Sequence, residues 1–447
     1  MKSLLEITTS ILLDCGMLCG VDPSRDCLTV TRRFEDEGES FLTISLPTLA
    51  SGLEKALDQG YWSPALATSF GCKRSLPRFL GGFFDQVFDQ KGAVRQLTRE
   101  VTQSIWAIRQ ICRVVSKLYL PAKKVRVLST LSKFVDVEKE VHDHVVPEIH
   151  KAAFVAASRI IWADIVSTGG NSCSLWDDLK PHHGRGTTAE GIRGNSKFRF
   201  ASWPSRLDRH LPYSEFGVSS LHNPGVEDAV QSIVYTLPRD ETPVKVCAVP
   251  KTARGPRIIA IEPVAMQYMQ QSLASWVIPR IERLGTFTSG RVNFSDQRVN
   301  SQLACLASSK LHYATLDLSD ASDRVSCRLV NLMLSGVPDF RRYVMACRST
   351  RAYLPSGKTI PLYKFASMGS AMCFPMEAMV FFISIVSGRM LRSGIKHPTG
   401  REMRRLSRGI YVYGDDLIVP TSEAPSVVKD LEAFGLKVNA AKSFWTG

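Results

Sequence analysis

Cysteine is sparse and unpatterned: eleven in 447 residues, all standing singly apart from Cys15 and Cys19. No CxxC pair and no Cys/His array with zinc spacing occurs, which excludes a disulfide-stapled miniprotein and a zinc module and leaves reduced thiols as the expectation. No internal repeat or low-complexity tract is present. Long apolar runs are missing too. The longest, Ala378 to Val386, falls short of the roughly 18 residues that span a bilayer, and is expected to be a buried core helix with no membrane partner. The N-terminal MKSLLEITTSILLDCGMLCG lacks the unbroken apolar centre of a signal peptide, because Glu6 and Asp14 interrupt it. His142, His144 and His150 lie close together, but Pro147 intervenes and no carboxylate completes a metal set; packing or surface roles are expected.

What is present describes a folded chain, 44% hydrophobic and 22% charged. Lys and Arg number 56 against 42 Asp and Glu, a formal charge of +14. That favours polyanionic partners, nucleic acid before an anionic membrane. Up to about residue 165 the pattern is helical, with apolar residues at helical spacing over Ala93 to Tyr119 and Val145 to Val166. Residues 167 to 225 read as loop-rich. Within them HHGRGTTAEGIRGNSKF sets glycine amides beside Arg185, Arg193 and Lys197, a composition that suits a phosphate backbone and equally a solvated basic loop. From about 244 short β-rich runs alternate with helical patterns.

Chemistry is legible in that last region. In Tyr411 to Val419 two apolar runs flank Gly414-Asp415-Asp416, a hairpin that lifts adjacent carboxylates out of a sheet. In His312 to Asp323 strand alternation puts Tyr313, Thr315 and Asp317 on one face and Ala314, Leu316 and Leu318 on the other. An unpaired carboxylate there is costly, and a hard cation is the cheapest remedy. Asp317 and Asp415 supply the minimum scaffold for two magnesium ions, with manganese as a possible substitute. Asp416, pointing away from Asp415 in a regular strand, takes an outer or assisting role, and Asp323 could face the sugar of a nucleotide. Lys251, Arg254 and Arg257 put three cations in seven residues on a Gly-Pro turn, suited to a triphosphate. Near the C-terminus a helix marked by Val427, Val428, Leu431 and Phe434 stops at Gly435, and a following strand carries Lys437 and Lys442. The run Arg389 to Arg408 is strongly basic, with a solvated connection slightly preferred over an RNA contact.

Taken in order, VPKTARGPRIIAIEP, DLSDASD, ASMGSAMCFPMEAMVFF, YVYGDDLIVP and GLKVNAAKSF resemble the RNA-dependent RNA polymerases, specifically the replicase beta subunit of the single-stranded RNA bacteriophages, the leviviruses. The match runs in register over roughly 180 to 447. The resemblance implies template-directed synthesis of RNA from nucleoside triphosphates on an RNA template, with reverse transcriptase or a non-catalytic RNA-binding relative as alternatives. It implies that Asp317, Asp415 and Asp416 bind magnesium, that Lys442 is the general acid, and that Lys251, Arg254, Arg257, Asp323, Ser367, Gly369 and Ser370 bind nucleotide. The family usually has Asn where this chain has Ser370, so Asp323 could make the ribose contact instead; Asp320, Ser322 and Asp323 compete for the second acidic place. Ser295 to Asn300 resembles a further family stretch without an assignable role.

The fold so implied is α+β, a right-hand polymerase fold with fingers and an antiparallel palm sheet, its thumb expected to be truncated because family members continue further. The expected divisions are 1–165, a mainly helical N-terminal extension; 166–262, fingers with the basic motif; 263–335, palm with the first acidic motif; 336–365, a fingers-like insertion; and 366–447, palm with the glycine-hinge helix, Gly-Asp-Asp hairpin and lysine strand. The implied partners are RNA template and product, nucleoside triphosphates, and host elongation factors Tu and Ts with ribosomal protein S1, in the cytoplasm of a bacterial host.

Overall fold

The computed structural model describes residues 2–167, 175–218, 226–310, 312–440 and 442–444. The chain forms two units: Met1–Leu131 with Ala248–Arg257 and Phe444–Gly447, and Ser132–Cys247 with Ile258–Ser443.

The first unit is mainly helical. Helices α1 (Lys2–Cys19) and α2 (Leu46–Gln59) both pack on α3 (Arg99–Arg113). Their apolar faces meet in a core that includes Leu12, Leu49, Phe83, Phe84, Ile108 and Ile111. Helix α3 is shorter than the apolar spacing over Ala93 to Tyr119 predicts, because Thr98 caps it: its hydroxyl accepts from the Val101 amide at 3.4 Å. Residues just before the cap are held by isolated bridges, Tyr61 to Ala93 and Phe88 to Val94.

Helix α4 (Lys124–Asp143) begins in the first unit and ends in the second. The second unit continues with α5 (Glu148–Val166), strands β1 (Val244–Thr252) and β2 (Gly255–Ile261), α6 (Val264–Glu282), α7 (Arg298–Lys310), β3 (Tyr313–Asp317) and the one-turn α8 (Ala321–Arg324). Then come β4 (Arg351–Tyr353), β5 (Thr359–Pro361), α9 (Cys373–Arg392), β6 (Tyr411–Tyr413), β7 (Asp416–Pro420) and α10 (Ala424–Ala433). One sheet has the order β6-β7-β3, antiparallel throughout; the other has β2-β1-β4-β5, with β1 parallel to β4 and β4 antiparallel to β5.

Helix α9 is the axis of this unit, packed by α5, α10 and β6. It runs well beyond Ala378 to Val386 and is long and apolar enough to cross a membrane by length and composition, yet 89% of that stretch is buried in the protein. Pro375 sits in its first turn, where the missing N–H costs nothing. Small residues allow neighbours close: a Cβ at Gly388 would overlap the Asp430 carboxylate of α10.

Three expectations are revised. Lys197 is buried and donates to the carbonyls of Gly184 and Gly186, so it braces its own loop and is neither solvated nor free for phosphate. Arg389 is likewise buried, forked onto Glu423 at 2.7 and 3.0 Å and bonded to the Leu406 and Arg408 carbonyls. The expected lysine strand is no regular strand among the described residues: Val438 makes an isolated bridge with Leu318, and Lys442 lies in a turn.

Candidate active site

The alternation read in β3 holds: Ala314, Leu316 and Leu318 are buried, while Tyr313, Thr315 and Asp317 are only partly covered. Buried apolar residues of β7, Leu417 and Val419, pair with Leu316 and Ala314, which fixes the register. The same register puts Asp416 directly opposite Asp317, with side chains on one face. Asp416 was expected to assist from outside; it is the cross-strand neighbour of Asp317, and Asp415 occupies the two-residue turn with Gly414. Gly414 has φ +59°, as a tight hairpin with glycine at its first central position requires.

Asp317 is held at several points. Its amide donates to Ser443 Oγ at 3.1 Å, its carbonyl accepts from the Asn439 amide at 2.8 Å, and Asn439 Nδ2 donates to Oδ2 at 3.1 Å. Lys442 Nζ lies 3.3 and 3.2 Å from the two carboxylate oxygens. The turn after Gly435 thus brings the predicted lysine to the predicted aspartate.

The carboxyl of Asp416 is raised above its ordinary range, first by burial and then by the charges of Asp415 and Asp317, against the pull of Lys442 and a hydrogen bond from Gln297. Asn300 Nδ2 donates to the Asp416 carbonyl at 3.2 Å. The stretch Ser295 to Asn300, which had no role in the sequence reading, therefore supports the second acidic strand. Asp416, with the charges of Asp415 and Asp317 acting on it, offers oxygen donors alone, the chemistry that suits a hard divalent cation. The donor chemistry fits, although among the described residues no three His, Cys, Asp or Glu side chains converge as a ligand set.

Glu377 was missed. It is buried on α9, its carboxyl pushed up to about 8 by burial and then by the charges of Asp415 and Asp323. The available signal was a single acid inside the apolar run CFPMEAMVFF. Asp323 lies on α8, its Oδ1 2.9 Å from Lys364 Nζ.

Gly369 has φ +129°, and a Cβ there would overlap the Ala260 carbonyl oxygen; it permits a close approach to β2 where a flexible hinge was expected. Ser370 is buried and gives its hydroxyl to Gln270 Oε1 at 2.9 Å, and Ser367, on the other side of Met368 and Gly369, is buried too. Both serines line a small cavity with Glu262, Gln270 and Ser349. Lys251 near the end of β1, Arg254 in the β1–β2 turn and Arg257 in β2 are exposed, within the stretch Ala248–Arg257 that belongs to the first unit.

Glu262 in that cavity is fully enclosed, its carboxyl pushed up to about 7 by burial, opposed by hydrogen bonds from Ser349 and Gln270 and by Arg348 and Arg206. The folded state therefore holds this proton more tightly than the unfolded chain does. The resulting stability is present below the ordinary value of 4.5 and is lost as pH rises to about 7. Glu262→Gln should recover about 3 kcal/mol at pH 8 and little at pH 4. Thermal unfolding of both proteins at the two pH values checks this, and a pH-independent difference would contradict it.

The sequence profile of the RNA replicase beta-chain family matches residues 94–447. The chain belongs to that family. Among its relatives, the RNA-directed RNA polymerase beta chain of Enterobacteria phage fr is 33% identical over 202 residues, 45% of this chain and 33% of its own length. The corresponding subunit of Qbeta virus strain MX1 is 26% identical over 264 residues, 59% of this chain and 40% of its own, and that of Escherichia phage MS2 is 32% identical over 202 residues, 45% and 33%. The chain thus aligns with a third to two fifths of the length of these relatives. A solved human picobirnavirus RNA-dependent RNA polymerase is similar over 45% of this chain and 40% of its own, at 13% identity and a TM-score of 0.34.

Proposed function

We propose that this chain is a template-directed RNA polymerase. The 3′-hydroxyl of an initiating or growing strand attacks the α-phosphorus of a nucleoside triphosphate, and the bond to pyrophosphate breaks. The observation that carries this reading is the cross-strand pair of Asp317 and Asp416, with Asp415 in the adjoining turn. These three carboxylates would hold magnesium, two ions in our reading, with manganese as a substitute. When bound, such ions neutralise charge at the reacting phosphate and lower the pKa of the attacking hydroxyl.

The chain's own groups position the reactants and move one proton. Lys442, exposed at the rim and paired with Asp317, serves as the donor to the leaving pyrophosphate. Lys251, Arg254 and Arg257 contact the triphosphate on its way in. Ser370 spends its hydroxyl on Gln270, so sugar recognition falls to Asp323. The β6-β7-β3 sheet backed by α9 is then the palm of a right hand, with 166–262 and 336–365 contributing fingers. Membership of a bacteriophage family supports work in a bacterial cytoplasm beside elongation factors Tu and Ts and ribosomal protein S1.

Labelled ribonucleotides offered with an RNA template and magnesium should enter acid-insoluble product. Preference for deoxyribonucleotides would make the chain a reverse transcriptase, and RNA binding without turnover at any magnesium concentration, with the host proteins added, would make it a non-catalytic relative.

A further inference from the structure

Helix α4 touches the segment after β3 at two charged places directly and reaches it at a third through Lys364. Lys133 Nζ lies 2.7 Å from Asp320 Oδ1, where the backbone takes a left-handed φ of +53°. Glu140 pairs at 2.8 Å with Arg324, which is buried at the far end of α8. Between them, Glu138 Oε1 lies 2.9 Å from Lys364 Nζ, and the same Nζ lies 2.9 Å from Asp323 Oδ1.

Lys364 is the unusual member. Its side chain has 0% exposure, with the ammonium 3.5 Å from the centre of the Phe134 ring. Taking a lysine out of water costs several kcal/mol unless it is paired, and a buried pair is often no more stable than apolar residues of the same volume. Stability alone does not explain an ammonium here. Orientation does: Glu138 is fixed by accepting from the amides of Tyr363 and Lys364, at 2.7 and 3.3 Å. The Lys364 stem is enclosed, so its ammonium fixes one oxygen of Asp323. The Asp323 side chain remains 25% exposed, so its carboxylate has acceptor capacity left over. It stands six residues beyond Asp317, on the turn that leaves the acidic strand.

We propose that Lys364 and Glu138 are positioning residues that hold the Asp323 carboxylate to accept a hydrogen bond from the 2′-hydroxyl of the incoming ribonucleotide. Helix α4, outside both acidic strands, thereby takes part in sugar selection. This inference rests on the polymerase reading. Asp320, a rival of Asp323 for the second acidic place, is paired with an exposed lysine, Lys133 at 58%, where Asp323 is held by a buried one.

The test compares kcat/KM for a ribonucleotide and its 2′-deoxy counterpart on one RNA template, using the full chain. Glu138→Gln keeps an oxygen for the two amides but removes the charge, and Lys364→Met keeps most of the volume. Each should lower the ribo-to-deoxy ratio about tenfold, through KM for the ribonucleotide, since a site that hydrogen-bonds a hydroxyl discriminates only while its acceptor is in place. Asp323→Asn should lower the ratio likewise, and adding Glu138→Gln to it should lower it little further, because both changes act through one carboxylate. If Lys364→Met fails to fold, the less disruptive Glu138→Gln carries the comparison. Equal losses for both nucleotides, or an unchanged ratio in an active protein, overturn the clamp alone. A wild type that incorporates neither nucleotide with the host proteins added overturns the polymerase reading and this inference with it.

Discussion

Replacing Asp317 by Asn should cut ribonucleotide incorporation by about a thousandfold or more, since removing a charge that stabilises a phosphoryl-transfer transition state forfeits several kcal/mol of barrier. The fold should hardly notice. Asn is isosteric and can still accept from Asn439 Nδ2, and the pair lost with Lys442 is exposed on the lysine side, 67%, a type worth about 0 to 1 kcal/mol. Neutralising Asp317 also removes one of the charges that raise Asp416, which offsets part of that loss. The expected result is an unfolding midpoint within a few degrees of wild type, RNA binding largely intact, and almost no product. Asp415→Asn should behave alike. Incorporation by either variant within tenfold of wild type would remove that carboxylate from the catalytic set.

Much of this site could be read in the sequence because its signals are local. The alternation of Tyr313 to Asp317 and the Gly-Asp-Asp turn between Tyr413 and Leu417 each lie within a few consecutive residues, and period and turn chemistry act over that range. Register is different. Which of Asp415 and Asp416 faces Asp317 depends on how Leu417 and Val419 seat against Leu316 and Ala314, a choice made about a hundred residues away in the chain. A one-residue slip would reverse the answer.

Charges hidden in the interior were illegible for the same reason. Lys197, Lys364 and Arg389 look like surface cations in sequence, and each is buried by partners that tertiary structure supplies. Glu377 stood in an apolar run, but its meaning depends on Asp415 and Asp323 approaching from other elements. Ser370 matched a nucleotide-binding position by motif, while its hydroxyl is committed to Gln270 on α6. The N-terminal helices gave their apolar periodicity and no chemistry, so the charged grip of α4 on α8 appeared only in three dimensions.

Gly414→Ala is the second change expected to have a large effect, for two separable reasons. At φ +59° an L-residue at the first central position of this tight turn is strained, by about 1 to 2 kcal/mol. A Cβ there would also overlap the Phe374 ring. That ring has little room to yield, being edge-packed against Phe294 at 5.5 Å and Tyr413 at 5.6 Å between centroids, and forced overpacking costs typically another 1 to 3 kcal/mol. The turn relieves both by shifting, and Asp415 shifts with it. Incorporation should therefore fall by about a hundredfold, because a misplacement of about 1 Å at a reacting centre costs that much. The two causes separate in a Phe374→Leu background. There the smaller side chain admits the Cβ, so Gly414→Ala should destabilise by less than it does in wild type, and the remainder measures the backbone. If the penalty is the same in both backgrounds, the ring plays no part, and the conformation of Gly414 alone holds Asp415 beside the acidic strands.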